Sequence, residues 1–294
     1  MLLMESFLDY LRYERNYSDK TILAYQKDLS QFEAFSEEGE QKKTPLEVTG
    51  ELVRDWIVNL MDEGYSVASV NRKLSSLRSY YKYLLKKEKV EVDPLQKVVG
   101  PKKSKPLPVF LKEKEMDKLL DEENFADDFE GWRDRLILEV FYETGIRRAE
   151  LIGLNDRDVD FSTNIIKVLG KRNKERLIPF GTRLGVLLQK YIEKRNETVL
   201  QNSDALFVRK NGERLSESIV ASIVRRNLSK VVAVRKKSPH VLRHTFATAM
   251  LNHGAELDSI KELLGHESLS TTEIYTHTTF EELKKVYNQA HPRA

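Results

Sequence analysis

Residues 100 to 111, GPKKSKPLPVFL, interrupt the hydrophobic periodicity of the chain with three prolines, one glycine and three lysines. Proline fixes φ and removes an N–H donor, so such a stretch runs extended instead of continuing a helix. Cutting a chain of 294 residues there leaves two segments long enough to bury separate cores. We therefore expect an amino-terminal domain at residues 1–100, a linker at 101–110 and a second domain at 111–294. No internal repeat or low-complexity segment is evident.

The first segment has the period of helices. Ile22, Tyr25, Leu29 and Phe32 recur at helical spacing after a Ser18 cap, and Val53, Trp56, Ile57, Leu60 and Met61 do so after Thr49. Val67, Val70, Leu74, Leu77, Tyr81 and Leu84 follow a Ser66 cap and form one apolar face. Arg72, Lys73, Arg78, Lys82 and Lys86 are expected on the other faces. With a helix near Phe7, Leu8 and Leu11, this makes a bundle of about four helices. The second segment reads as mostly helical, interrupted by DVDFSTNIIKVLGKRNKERLIPF. There Ile165, Ile166 and Val168, then Leu177 and Ile178, flank a polar turn, which predicts a β-hairpin. The fold class is mainly α with a small antiparallel sheet.

Charge narrows the partner. Between Arg72 and Lys105 eleven basic residues face three acidic ones, although the whole chain carries only +3. Such a local excess suits a solvated helix face or a polyanion. Arg72, Lys73, Arg78, Lys82, Lys102 and Lys103 are the candidate polyanion-binding residues. The chain has no cysteine, which excludes disulfides, thiolate catalysis and cysteine-based zinc sites. Its mean hydropathy is −0.51 and no apolar run approaches a membrane span. The opening MLLMESFLDYLRYER has no basic start and no uninterrupted apolar stretch, so we expect a cytoplasmic protein without a membrane partner.

The residues that carry chemistry lie in the second segment. His240 and Arg243 sit three apart on a helix opening after Ser238-Pro239, so they share a face. His240 and His244 at i, i+4 do not make a zinc site, because Val241 stands where a helical zinc protease needs its glutamate; no metal and no cofactor are expected. In FYETGIRRAELIGL, Arg147 follows Gly145, and Glu150 three residues on is placed to hold the guanidinium in a fork-like pair. Lys171 lies in the hairpin segment GKRNKER, where a lysine could donate a proton to a leaving oxygen. His266 lies in LLGHESLSTTEIYTH, and Tyr275 follows nine positions later. A tyrosine hydroxyl attacks a phosphodiester usefully only where cationic donors neutralise the phosphate and a neighbour handles the proton.

In this order, TGIRRAELIGL, GKRNKERLIPFG, SPHVLRHTFATAML, LLGHESLSTTEIYTH and the terminal HPRA resemble the motifs of the tyrosine recombinases, specifically the Xer type. The resemblance covers nearly the whole chain. It implies a SAM-like core-binding domain followed by a catalytic domain of the DNA breaking-rejoining fold. By alignment to TG-x-R-x-x-EL, Arg147 takes the arginine role rather than Arg148, and Arg172 stands in place of a common turn glycine. The resemblance implies that Arg147 and Arg243 clamp the scissile phosphate, while His240 and His266 bond its oxygens and assist proton transfer. It implies that Lys171 protonates the departing 5′ oxygen and that Tyr275 attacks phosphorus, giving a 3′-phosphotyrosine without ATP or metal.

The implied partners are a duplex recombination site and three further protomers, in a homotetramer or a heterotetramer with a sister recombinase. Phe280, Leu283 and Val286 or Tyr287 form an apolar stripe on a carboxy-terminal helix, which relatives pass to a neighbouring protomer. A DNA translocase acts as regulator in some relatives. The start of the four-helix module close to Met1 favours chromosome-dimer resolution at cell division over a phage integrase of the lambda type. A mobile-element integrase, a type IB topoisomerase and a non-catalytic DNA-binding protein are the alternative readings.

Overall fold

The computed structural model of the chain describes residues 2–37, 44–103, 109–170, 174–200, 202–231, 237–265 and 277–294. They divide into two compact units, Met1–Pro106 and Leu107–Ala294. Among the described residues no helix is long and apolar enough to cross a membrane.

The first unit contains α1 (Leu2–Asp9), which runs into a π-helical turn at Tyr10–Glu14, then α2 (Asp19–Glu37), α3 (Gly50–Asp62) and α4 (Val67–Lys86). The hydroxyl oxygens of Thr49 and Ser66 accept from the backbone N–H groups of Leu52 and Ser69, satisfying donors that a helix start leaves orphaned. On α4, Val70, Leu74, Leu77, Tyr81 and Leu84 are buried against Phe7, Phe32 and Trp56. Full burial of such a side chain is worth roughly 2–3 kcal/mol.

Two positions differ from the sequence expectation. Met61 is exposed, because it lies off the stripe formed by Val53, Trp56 and Leu60. Lys73 is not on the outward basic face: it lies three residues after Val70 and four before Leu77, so helix geometry turns it inward. Its ammonium group donates to Asp28 Oδ1 at 3.2 Å and to Gln31 Oε1. Asp28 is 1% exposed and also accepts from Arg72 and from Ser76 Oγ. Lys82, Lys102 and Lys103 are exposed, and Arg78 is half-buried with a bond to the Val98 carbonyl.

The second unit runs α5 (Glu113–Leu119), α6 (Phe129–Thr144), α7 (Arg148–Gly153), β1 (Val159–Asp160), β2 (Ile165–Leu169), β3 (Glu175–Pro179), α8 (Thr182–Thr198), α9 (Glu217–Val231), α10 (Pro239–Asn252), α11 (Leu257–Leu264) and α12 (His277–Ala290). The expected hairpin is β2 and β3, antiparallel with Ile166 opposite Ile178 and Val168 opposite Arg176. The two-residue strand β1 adds a third member in the order β1-β2-β3. The fold is mainly helical with a small antiparallel sheet, as the sequence predicts.

Helix α6 is buried on all sides and runs through the middle of this unit. Asp128 caps its start through Gly131 N, and Gly145 ends it in the left-handed region at φ +58°. A Cβ on Gly145 would lie 2.5 Å from Phe246 Cδ1 and 2.7 Å from Leu264 Cδ2, so glycine is required by contact as well as conformation. Helix α12 docks on α10 and α11 of its own chain, where Leu283, Tyr287 and Ala290 are buried with Phe246, Met250, Ile260 and Leu263. The tail beyond it is anchored too. His291 stacks on Tyr287 and Phe246, and Arg293 donates to both carboxylate oxygens of buried Glu139 at 3.1 and 2.9 Å.

Candidate active site

The left-handed turn at Gly145 reverses the chain so that Arg147 caps α7. Glu150, one turn into α7, accepts from the Arg147 backbone N–H at 2.8 Å and from Arg147 Nη1 at 2.8 Å. Arg147 Nη2 donates to the Gly265 carbonyl at 2.8 Å. Arg243 projects from α10 into the same place: its Nη1 donates to the Gly145 carbonyl at 2.6 Å and its Nη2 to the Leu264 carbonyl at 2.8 Å. Both guanidiniums therefore rest on the carboxy-terminal end of α11, whose last carbonyls have no intrahelical partner and carry the negative end of the helix dipole.

The pair expected between Arg147 and Glu150 forms through one guanidinium nitrogen only. The two-nitrogen fork belongs to Arg176 on β3, which donates Nη1 to Glu150 Oε1 at 2.7 Å and Nη2 to Oε2 at 2.9 Å, while its Nε reaches the Leu263 carbonyl at 3.1 Å. Sequence reasoning passed over Arg176, yet there was a signal. In the hairpin register Arg176 stands opposite buried Val168 and two residues before buried Ile178, a core-facing position where a cation needs a partner.

Electrostatics fit an anion site. Burial would raise the Glu150 carboxyl, but the hydrogen bonds and charge of Arg176, and then the hydrogen bonds of Arg147, overcome it and hold the group at about 2. Arg243 is pushed down to about 10 by burial and then by the Arg147 charge, so it remains a cation at neutral pH. Two guanidiniums, of Arg147 and Arg176, meet on the Glu150 carboxylate, and that of Arg243 is held by the Gly145 and Leu264 carbonyls. Arg147 and Arg243 each retain N–H donors with no partner among the described residues. His240 lies on the exposed side of α10, and desolvation of the ring, then the charges of Arg243, His244, Arg148 and Arg147, lower its pKa. It is thus a neutral imidazole beside the arginines at neutral pH. Arg148 turns away and pairs with Glu217 on α9. Lys171, His266 and Tyr275 lie outside the described residues; Gly170, which precedes Lys171, and Gly265, which precedes His266, border the cluster. Among the described residues no group of three metal-ligating side chains occurs.

Two family models match this chain: the phage integrase family over residues 109–282, and the phage integrase N-terminal SAM-like domain over residues 4–88. A helical unit followed by a unit with convergent arginines defines the same class, and the chain belongs to the phage integrase family, the tyrosine site-specific recombinases. Its relatives are of the Xer type. The tyrosine recombinase XerC of Pelotomaculum thermopropionicum is 40% identical over 301 residues, covering 99% of this chain and 98% of that one. That of Staphylococcus aureus is 39% identical over 292 residues, covering 99% and 97%. The crystal structure of XerA recombinase is 30% identical with a TM-score of 0.50, covering all of both chains. The XerH recombinase bound to palindromic difH substrate in a post-cleavage complex shares the fold, with a TM-score of 0.72 at 24% identity over 96% of this chain and 83% of that one.

Proposed function

We propose that this recombinase cuts and rejoins duplex DNA at a specific site through a 3′-phosphotyrosine on Tyr275. The observation that carries the reading is the arginine pair: Arg147 and Arg243, 96 positions apart in sequence, meet on the last carbonyls of α11 with N–H donors that have no partner among the described residues. A scissile phosphate bonded there places its negative charge against two cations that are already oriented. Planar guanidiniums match the equatorial oxygens of a pentavalent phosphorus better than ammonium groups do.

In this reading the Tyr275 oxygen forms a bond to phosphorus as the P–O5′ bond breaks. The tyrosine proton passes to a neighbouring base, with His240 and His266 as the candidates, and Lys171 protonates the departing O5′. The product is a 3′-phosphotyrosyl enzyme and a 5′-hydroxyl. Attack by a 5′-hydroxyl from a second duplex reverses each bond change and releases the tyrosine. Bond energy is conserved in the phosphotyrosine, so the chemistry needs no nucleotide cofactor.

Residues 1–100 act as the core-binding domain and 111–294 as the catalytic domain, joined by 101–110. Arg72, Arg78, Lys82, Lys102 and Lys103 contact DNA phosphates, which makes affinity fall steeply with salt. Lys73 is excluded from that group because it is buried, with its ammonium committed to Asp28 and Gln31, whereas Arg72 is exposed. Four protomers assemble on two sites, alone or with a sister recombinase, and α12 passes from its own α10 and α11 to a neighbour in that assembly. Full-length similarity to XerC relatives supports a chromosomal role, resolving dimers at cell division; in this proposal the protein acts in the cytoplasm with a DNA translocase as regulator.

A nicked suicide duplex carrying a candidate site tests the proposal. The wild-type protein becomes attached to DNA through a bond that survives denaturation, and Tyr275→Phe does not. Equal behaviour of the two proteins would support a non-catalytic DNA-binding role instead. Joining of strands between duplexes, as opposed to relaxation alone, separates the recombinase from a type IB topoisomerase.

A further inference from the structure

Glu150 is almost fully buried, and its carboxylate accepts four hydrogen bonds: two from Arg147, through Nη1 and the backbone N–H, and two from Arg176. Arg176 supplies the bidentate pair. A buried carboxylate that lost those two bonds would seek replacements, since an unpaired charge there is costly. The cation within reach is Arg147, whose planar head can offer a fork of its own. Taking up that fork would draw Arg147 Nη2 off the Gly265 carbonyl and redirect the donors left for a ligand.

Arg176 also ties three elements together. It leaves β3, forks onto α7 through Glu150 and donates Nε to the Leu263 carbonyl in the last turn of α11. Gly265 makes room for it. This glycine sits in the left-handed region at φ +65°, and a Cβ there would lie 3.2 Å from Arg176 Cδ and 3.3 Å from Nε and Nη1. A lysine at position 176 could keep the charge near Glu150, but it could not make the fork and the Leu263 bond together.

We propose that Arg176 is a positioning residue for the reaction: by saturating Glu150 it keeps Arg147 in a single-nitrogen bond, with its remaining donors aimed at the scissile phosphate. This inference rests on the recombinase reading above. It assigns to Arg176 no contact with DNA.

The test is Arg176→Lys, with Arg176→Gln as second variant, in the full-length protein. Single-turnover cleavage of the suicide duplex is measured beside DNA affinity and the melting temperature. Arg176→Lys is expected to bind DNA within about twofold of wild type and to cleave roughly tenfold to a hundredfold more slowly, because misaimed donors cost the transition state and not the ground state. A second substrate carries a methylphosphonate at the scissile position, so that it lacks the negative charge Arg147 would neutralise. On it the gap between wild type and variant should shrink to a few-fold. Wild-type cleavage by Arg176→Lys, an equal gap on both substrates, or losses of affinity and cleavage in proportion would overturn the proposal. If Arg176→Gln does not fold, Arg176→Lys alone decides. Failure of wild-type protein itself to cleave either duplex would refute the recombinase reading, an outcome distinct from those.

Discussion

The carboxyl of Glu143 is buried on α6, one turn from buried Glu139, and neither of its oxygens has a hydrogen-bond partner among the described residues. Burial, and then the Glu139 charge, push its pKa well above the ordinary value, against the opposing charges of Arg293 and Arg183. Glu143 is thus held toward its neutral, protonated form. A folded-state pKa above the unfolded one favours folding below the unfolded value, and that contribution is lost as pH rises through the folded value. Glu143→Gln keeps the shape of the neutral acid and has no proton to lose. It should therefore leave the melting temperature nearly unchanged near pH 4.5 and raise it near pH 8; a stabilisation independent of pH would contradict this account. At this scale the sequence disclosed residue identity better than partnership. Arg147, Glu150, His240 and Arg243 were legible from their motifs, but the fork on Glu150 comes from Arg176 on a different element. Nothing local marks a bond between residues 26 apart.

Helix α4 shows how one element divides its cations between folding and binding. Lys73 belongs to the apolar stripe by its spacing from Val70 and Leu77, and its inward ammonium satisfies Asp28. Lys82 lies on the exposed side. Lys73→Ala should destabilise the protein by about 2–3 kcal/mol, since it strips a partner from a buried carboxylate. Lys82→Ala should change stability by less than about 0.5 kcal/mol and reduce the salt dependence of DNA binding by about one counterion. Denaturant unfolding and a salt titration check the pair, and similar effects from both variants would contradict the division. Helix positions and caps were legible because they depend on near neighbours, as Thr49 and Ser66 show. Strand β1 was not, because two residues carry no period. The carboxy-terminal anchor was hidden for a related reason: Arg293 meets Glu139 across 154 positions. Arg293→Ala should lower stability by about 3 kcal/mol by leaving Glu139 short of its main cation, with Arg183, 3.7 Å away, the residual partner.

For the whole molecule, the break at residues 100 to 111 separates two units with distinct tasks in this account. A helical unit carries an exposed basic side, and a unit built around α6 gathers two arginines on the end of α11. The first arrangement can hold a polyanion; the second can stabilise charge that develops at one phosphorus. In the proposed reaction neither acts without the hydroxyl of Tyr275, and that residue is the most direct point of test. The direct measurement is mass spectrometry of the proteolysed adduct trapped on a suicide duplex. The account predicts a single modified peptide, with the nucleotide joined to Tyr275 through a 3′-phosphate and a free 5′-hydroxyl on the released strand. Attachment at another residue, a 5′-phosphate linkage, or the absence of any adduct would contradict it.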